Sequence, residues 1–230
     1  MTMIQAHLQS VRARIAAACR AAGRETSEVT LLAVSKTFGA ETVAQAHAAG
    51  QTAFGENYIQ EAVQKIKQLR HLPLQWHCIG PIQSNKTRLV AENFDWVHTV
   101  DRLKTAQRLS EQRPAALAPL QVCIQLNVDG GDSKSGVPPQ EARALAQQVA
   151  VLPGLRLRGL MSIPEPAPDF VAACALFTRV KTVFDELNGA GLALDTLSMG
   201  MSADLEAAIQ AGSTLVRVGS AIFGARAKPA

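Results

Sequence analysis

Apolar residues fall at helical spacing at the start of the chain. Ile4, Leu8, Val11, Ile15 and Ala18 share one face, and Gly23 follows as a stop. The pattern predicts an N-terminal helix within residues 1–23. The next apolar block, VTLLAVS at 29–35, is too short and too uniformly apolar for a surface helix. It reads as a strand buried on both faces. A helical stretch at 40–49 then ends at Gly50. The alternation repeats from there. Strands are predicted at 52–54, 75–79, 96–100, 121–128, 156–163, 196–199 and 215–218. Helices are predicted at 58–69, 84–91, 103–111, 139–151, 169–188 and 204–211.

Strand–helix alternation of this kind gives βαβ units and a parallel sheet. With the strand at 29–35 the count reaches eight. That predicts a single-domain α/β chain over residues 1–230, a (β/α)8 TIM-type barrel with the extra helix at 1–23 packed on it. A doubly wound open sheet is the alternative. No linker or low-complexity segment divides the chain, and the proline-rich run at 164–168 (PEPAP) reads as a loop.

Composition narrows the class. Hydrophobic residues make up 47% of the 230 residues but aromatics only 4%, so aliphatic side chains and alanine fill the core. The net charge of +4 comes from 23 basic and 19 acidic residues spread along the chain. No concentrated basic stripe with interleaved aromatics is present, which argues against nucleic acid and fits a surface slightly favourable to anionic ligands. Cys19, Cys78, Cys123 and Cys174 lie far apart in apolar runs, without a C-x-x-C pair. They read as reduced, buried thiols. The polar N-terminal stretch does not resemble a signal peptide, and no apolar run approaches a membrane span. The expectation is a cytoplasmic chain without membrane association, and a monomer.

In a barrel of this type the chemistry collects at the C-terminal ends of the strands. Lys36 stands there, directly after the first strand. A partly desolvated amine has a lowered pKa and attacks carbonyls; a strand-end lysine that merely reaches for water is the alternative. After the seventh strand comes SMGMSADLE at 198–206, where Ser202 sits at an N-cap position ahead of a helix. After the eighth comes VRVGSAIFG at 216–224, with backbone N–H groups and a hydroxyl at Gly219 and Ser220. Loops seven and eight are the usual phosphate site of this barrel. Arg217, two residues before Gly219, shares its inward side. An inward arginine needs an acceptor. A pyridine-type ring nitrogen would serve, and so would a core carboxylate such as Glu206. His77 and His98 lie near strand ends without paired metal spacing, so no metal site is expected. The turn at Gln83, Ser84, Asn85 and Lys86 reads as a structural helix start at the barrel mouth.

Ordered blocks along nearly the whole chain carry a resemblance: LLAVSKT at 31–37, FGENYIQE at 54–61, WHCIGPIQSNK at 76–86, VHTVDR at 97–102, SKSG at 133–136, RGLMSIP at 158–164, SMGMSADLEAAI at 198–209 and VRVGSAIFGAR at 216–226. Together they resemble the pyridoxal phosphate homeostasis proteins (the YggS/PROSC type). That family is similar in fold to the barrel domain of bacterial alanine racemase and of ornithine decarboxylase. The resemblance implies that pyridoxal 5′-phosphate (PLP) is bound, with Lys36 as the Schiff-base lysine. Ser202 and the backbone of Gly219 and Ser220 become the phosphate cradle. Arg217 becomes the partner of the pyridine nitrogen, Asn57 a ring-side contact or a support behind one, and Met161 a ring-face contact. Some relatives carry a second lysine two residues after the Schiff-base lysine; here that position is Phe38. Lys134 remains as an accessory amine.

The resemblance further implies a role in PLP, vitamin B6 and amino-acid balance without settled turnover. PLP-dependent apoenzymes or PLP-synthesising enzymes would be the partners. The residues agree. Arginine at the ring nitrogen weakens the electron sink that PLP enzymes use. A racemase also needs a second base, which in the racemase is a tyrosine from a separate domain. The chain ends at Ala230, so no such domain is expected, and its one tyrosine is Tyr58. No residue is therefore assigned a catalytic role. A weak PLP-dependent racemase or decarboxylase is the alternative. A Schiff-base aldolase-like enzyme, with Glu56 as acid–base group, is the third.

Overall fold

A computed structural model describes residues 2–130 and 135–224. Eight parallel strands close into a barrel in the order β1 to β8: β1 (Thr30–Val34), β2 (Ala53–Glu56), β3 (Gln75–Cys78), β4 (Trp96–Val100), β5 (Leu120–Leu126), β6 (Leu155–Ser162), β7 (Thr196–Ser198) and β8 (Leu215–Val218). Closure occurs where β1 pairs with β8, Ala33 opposite Val218. The closed barrel selects between the two topologies that alternation alone allowed.

The helices are α1 (Met3–Ala21), α2 (Ala40–Ala48), α3 (Ile59–Gln68), α4 (Thr87–Asn93), α5 (Leu103–Gln112), α6 (Pro139–Ala150), α7 (Phe170–Gly189), α8 (Leu205–Gln210) and α9 (Ser220–Phe223). Alternation within each strand divides two apolar regions. On β1, Ala33 joins the outer core beneath the helices. Leu32 and Val34 meet Ala53, Ile79 and Leu215 inside the barrel. This is why the strands read as unbroken apolar runs: both faces are covered. The pairing register slips between Val97 and Val100 and again between Val122 and Cys123.

α1 begins on Thr2, whose Oγ1 accepts from Gln5 N at 3.2 Å. It lies against α8 and α9. Arg14 holds Glu206 at 2.9 Å and donates to the Ser202 carbonyl at 3.0 Å. Nδ1 of His7 lies 2.9 Å from the carbonyl of Ile222. The extra helix thus fastens the loops after β7 and β8 from behind. Element ends shift by a residue or two from the sequence expectation, and three differences bear on the site. β2 runs on to Glu56, which makes Glu56 a fully buried strand residue. The turn at Ser84–Lys86 is a separate 3-10 turn before α4. The short α9 follows β8. Cys19, Cys78 and Cys123 are buried free thiols and Cys174 is half-buried. Among the described residues no helix is long and apolar enough to cross a membrane.

Candidate functional site at the barrel mouth

A cavity of about 330 Å³ opens at the C-terminal ends of β1, β7 and β8. Lys36, Asn57, Ser202, Arg217, Gly219 and Ser220 all line it, with Val34, Phe38, Ile79 and Ile163 as apolar walls. Six side chains or backbone positions expected from separate strand ends therefore share one space. Two are cations, and the lining includes no carboxylate. Such a cavity favours an anionic or acceptor-bearing ligand.

Lys36 is presented by an unusual turn. The N–H of Phe38 donates to the Ser35 carbonyl at 3.1 Å, and between them Thr37 has φ 71°. A β-branched residue in the left-handed region is strained and persists only when its surroundings enforce it. Here they do. Thr37 N donates to Glu61 Oε1 at 3.0 Å. Lys65 Nζ, on α3, grips the Ser35 carbonyl at 2.9 Å, Glu56 Oε1 at 2.8 Å and Glu61 Oε1 at 2.6 Å. Ser35 Oγ also donates to Glu56 Oε1, at 2.6 Å. Burial pushes the Glu56 carboxyl up, against the pull of Lys65 and Ser35. Glu56, the carboxylate an aldolase would require, is thus bound into this clamp and is not among the cavity-lining residues.

The wall opposite is built on Arg217, fully inside the barrel. Its Nη1 donates to the carbonyl and hydroxyl of Ser198, at 2.6 and 2.7 Å, and its Nη2 to the Ser162 carbonyl at 2.9 Å. Burial pulls its pKa down to about 10, so it remains a cation at neutral pH. Glu206, the other acceptor foreseen for it, is taken by Arg14. Three of the five guanidinium N–H bonds are committed to protein, which leaves two.

The third wall is the pair of loops after β7 and β8. The hydroxyls of Ser202 and Ser220 stand 3.4 Å apart. Ser202 does not cap α8 as expected. Asp204 takes the N-cap position, and its Oδ1 accepts from Met201 N at 2.6 Å. The Ser202 hydroxyl is left facing Ser220. A Cβ on Gly219 would sit 3.2 Å from the Val34 carbonyl, so the backbone there lies close against β1. Asn57 Oδ1 is buried and has no hydrogen-bond partner among the described residues.

Met161 is placed differently. It is fully buried, packs with Trp96 and Cys123 inside the barrel, and does not line the cavity. Ile163, two residues further along, does. Phe38 takes a rim position and packs against Phe223, the ring centroids 5.2 Å apart and the planes tilted by 33°. Lys134 lies outside the described residues. Among the described residues no cluster of three metal-ligating side chains is present.

The family model for the alanine racemase N-terminal domain matches residues 6–227. A pyridoxal phosphate homeostasis protein of Pseudomonas aeruginosa is 60% identical over 226 residues, covering 98% of this chain and 97% of its own. The chain belongs to the pyridoxal phosphate homeostasis protein family. A member from Escherichia coli K12 is 53% identical over 229 residues, with 98% of each chain covered. PipY of Synechococcus elongatus, solved with PLP bound, superposes with a TM-score of 0.83 at 37% identity, over 96% of this chain and 100% of its own. The family assignment expected from the ordered sequence blocks is met, and the single-domain barrel with it.

Several parts of the site carry no signal in the linear sequence. The Lys65–Glu56–Glu61 clamp joins a helix to two strand ends. Ser162 and Ser198, which hold Arg217, read only as ordinary strand residues.

Proposed function

We propose that this chain binds PLP in the barrel-mouth cavity and takes part in intracellular PLP, vitamin B6 and amino-acid homeostasis, without catalytic turnover of its own. The observation that carries the reading is the convergence of Lys36, Arg217, Ser202 and Ser220 on one cavity of suitable size. The cavity residues fit the group. Lys36 would hold the group through a Schiff base with its aldehyde, the usual way a lysine amine carries PLP. The two remaining N–H bonds of Arg217 offer donors to the pyridine nitrogen. Ser202 and Ser220 give hydroxyls to the phosphate, and the bare backbone at Gly219 lets it approach. Asn57 Oδ1 supplies an acceptor beside the ring.

PLP, when bound to enzymes, supplies an electron sink for carbanions, and protonation of its ring nitrogen strengthens that sink. Arg217 stays cationic and can only donate, so it would keep a ring nitrogen beside it unprotonated. The chain's own groups then bind and orient more than they move protons. Tyr58, the one tyrosine, is half exposed and stands on the rim side of α3 rather than among the cavity-lining residues. PLP-dependent apoenzymes or PLP-synthesising enzymes are the partners this role calls for, and the cytoplasm is the compartment.

The test is a PLP titration of the purified protein followed by its imine absorption band. Lys36→Ala loses the band, while Arg217→Leu keeps it with weaker binding. A band unchanged in Lys36→Ala would overturn the assignment. Amino-acid turnover by the parent, lost in Lys36→Ala, would establish the enzymatic alternative.

A further inference from the structure

A file of polar side chains, buried except for Gln75 at its end, crosses the barrel interior behind Arg217. Ser198 Oγ lies 2.8 Å from His98 Nδ1. His98 Nε2 lies 2.9 Å from His77 Nδ1, and His77 Nε2 lies 3.1 Å from Gln75 Oε1. His77, His98, Ser198 and Arg217 are all buried, and the residues come from β3, β4, β7 and β8. Trp96 stacks on the His77 ring at 5.2 Å and 8°, which fixes the ring plane.

One end of this file has a known polarity. Arginine can only donate, so Ser198 Oγ must accept from it. The Ser198 proton then has His98 Nδ1 as its acceptor. That makes His98 Nε2 the protonated nitrogen, which donates to His77 Nδ1. His77 Nε2 in turn donates to the Gln75 amide oxygen. A neutral ring has one donor and one acceptor nitrogen, so each assignment forces the next. Burial favours the neutral form of both rings, holding them below the usual histidine range, His77 at about 3. Arg217 itself adds to the effect on His98.

We propose that His98, backed by His77, is a positioning residue for Arg217. By accepting the hydrogen bond from the Ser198 hydroxyl it leaves that oxygen as a fixed acceptor, so the guanidinium is locked in one plane. Every donor in the file then points away from the cavity, and only the remaining N–H groups of Arg217 face it. The wall is therefore specified for a ligand acceptor atom. This rests on the reading that Arg217 meets the PLP ring nitrogen, but its first test does not.

That test is the nitrogen shifts of the histidine side chains in protein without added PLP, with His77→Asn and His98→Asn used for assignment. Both rings should carry the proton on Nε2. A proton on Nδ1 of His98 overturns the proposal. The second test compares PLP titrations. His98→Leu should bind about tenfold more weakly, the scale of one buried hydrogen bond. His98→Asn, whose Oδ1 can stand in for the ring Nδ1, should recover most of that loss. In an Arg217→Leu background, His98→Leu should add nothing. His98→Leu binding like the parent, or a full extra loss without Arg217, overturns the positioning role. If Arg217→Leu alone binds PLP normally, the ring-nitrogen reading fails, and the histidine shifts still decide the file.

Discussion

Lys65→Met should strip the clamp beneath Lys36 of its only positive charge. The Lys65 ammonium is buried and bridges the fully buried Glu56, the half-exposed Glu61 and the Ser35 carbonyl. Lys65→Met keeps the apolar stem and deletes the charge. Glu56 is then left with only the Ser35 hydroxyl. A buried carboxylate stripped of its partner costs about 3–5 kcal/mol. Neutralising it limits the cost: keeping a carboxyl with an ordinary pKa of about 4.3 protonated at pH 7 takes about 3.7 kcal/mol. The two routes agree, so the expected loss at pH 7 is about 4 kcal/mol. The sign with pH follows. In the variant the folded pKa of Glu56 is raised above its unfolded value. Its stability is therefore whole below about pH 4.3 and lost as pH rises toward the folded pKa. Urea unfolding by circular dichroism reads this directly. With a slope of about 3 kcal/mol per molar for a chain of this size, the midpoint falls by roughly 1.3 M at pH 7 and by much less near pH 4.5. Adding Glu56→Gln should restore most of the loss, because the uncompensated charge goes with it. A deficit under about 1 kcal/mol at pH 7, or one equal at both pH values, would refute the coupling. The same variant loosens the turn that presents Lys36, so its PLP titration should weaken as well.

Other outcomes follow from the same geometry. His77 and His98 are buried and neutral, with folded pKa values below the unfolded value near 6.5. Their stability is complete above that pH and falls on acidification, by about 1.4 kcal/mol per pH unit for each; His77→Gln should make the slope of the unfolding midpoint between pH 6 and 5 visibly shallower, and an unchanged slope would argue against a neutral His77. Gly200 has φ 92°, and a Cβ there would approach that of Ala208 to 2.5 Å. Gly200→Ala should cost about 2 kcal/mol or more in the same assay and weaken PLP binding through the Met201–Ser202 turn; parent-like behaviour in both would mean the turn adjusts freely. Thr37→Gly relieves a left-handed β-branched residue and should leave the thermal midpoint unchanged or higher. A midpoint several degrees lower would show that the threonine side chain contributes more than its strain costs.

The order of elements was legible because strands covered on both faces read as unbroken apolar runs, and because glycines such as Gly23 and Gly50 punctuate the helices. The place of Lys36, Arg217, Gly219 and Ser220 at the mouth was legible from strand position, since the barrel puts every strand's C-terminal end there, but their roles came only with the family resemblance. What was hidden depends on register and on side chains meeting across the barrel. Met161 seemed a ring contact, yet the strand carries it a layer deeper than Ile163, against Trp96 and Cys123. Ser202 looked like a helix cap, but Asp204 two residues on took the cap position and left the hydroxyl to the cavity. His98 and Ser198 stand 100 residues apart and meet only because β4 and β7 both point these side chains into the barrel.

The residue that carries PLP decides between these readings. Borohydride reduction of the PLP-loaded protein, followed by peptide mass analysis, fixes the imine as a stable pyridoxyl adduct. The adduct should lie on Lys36 and vanish in Lys36→Ala. An adduct on another lysine, or none in protein that retains PLP, would contradict attachment at Lys36.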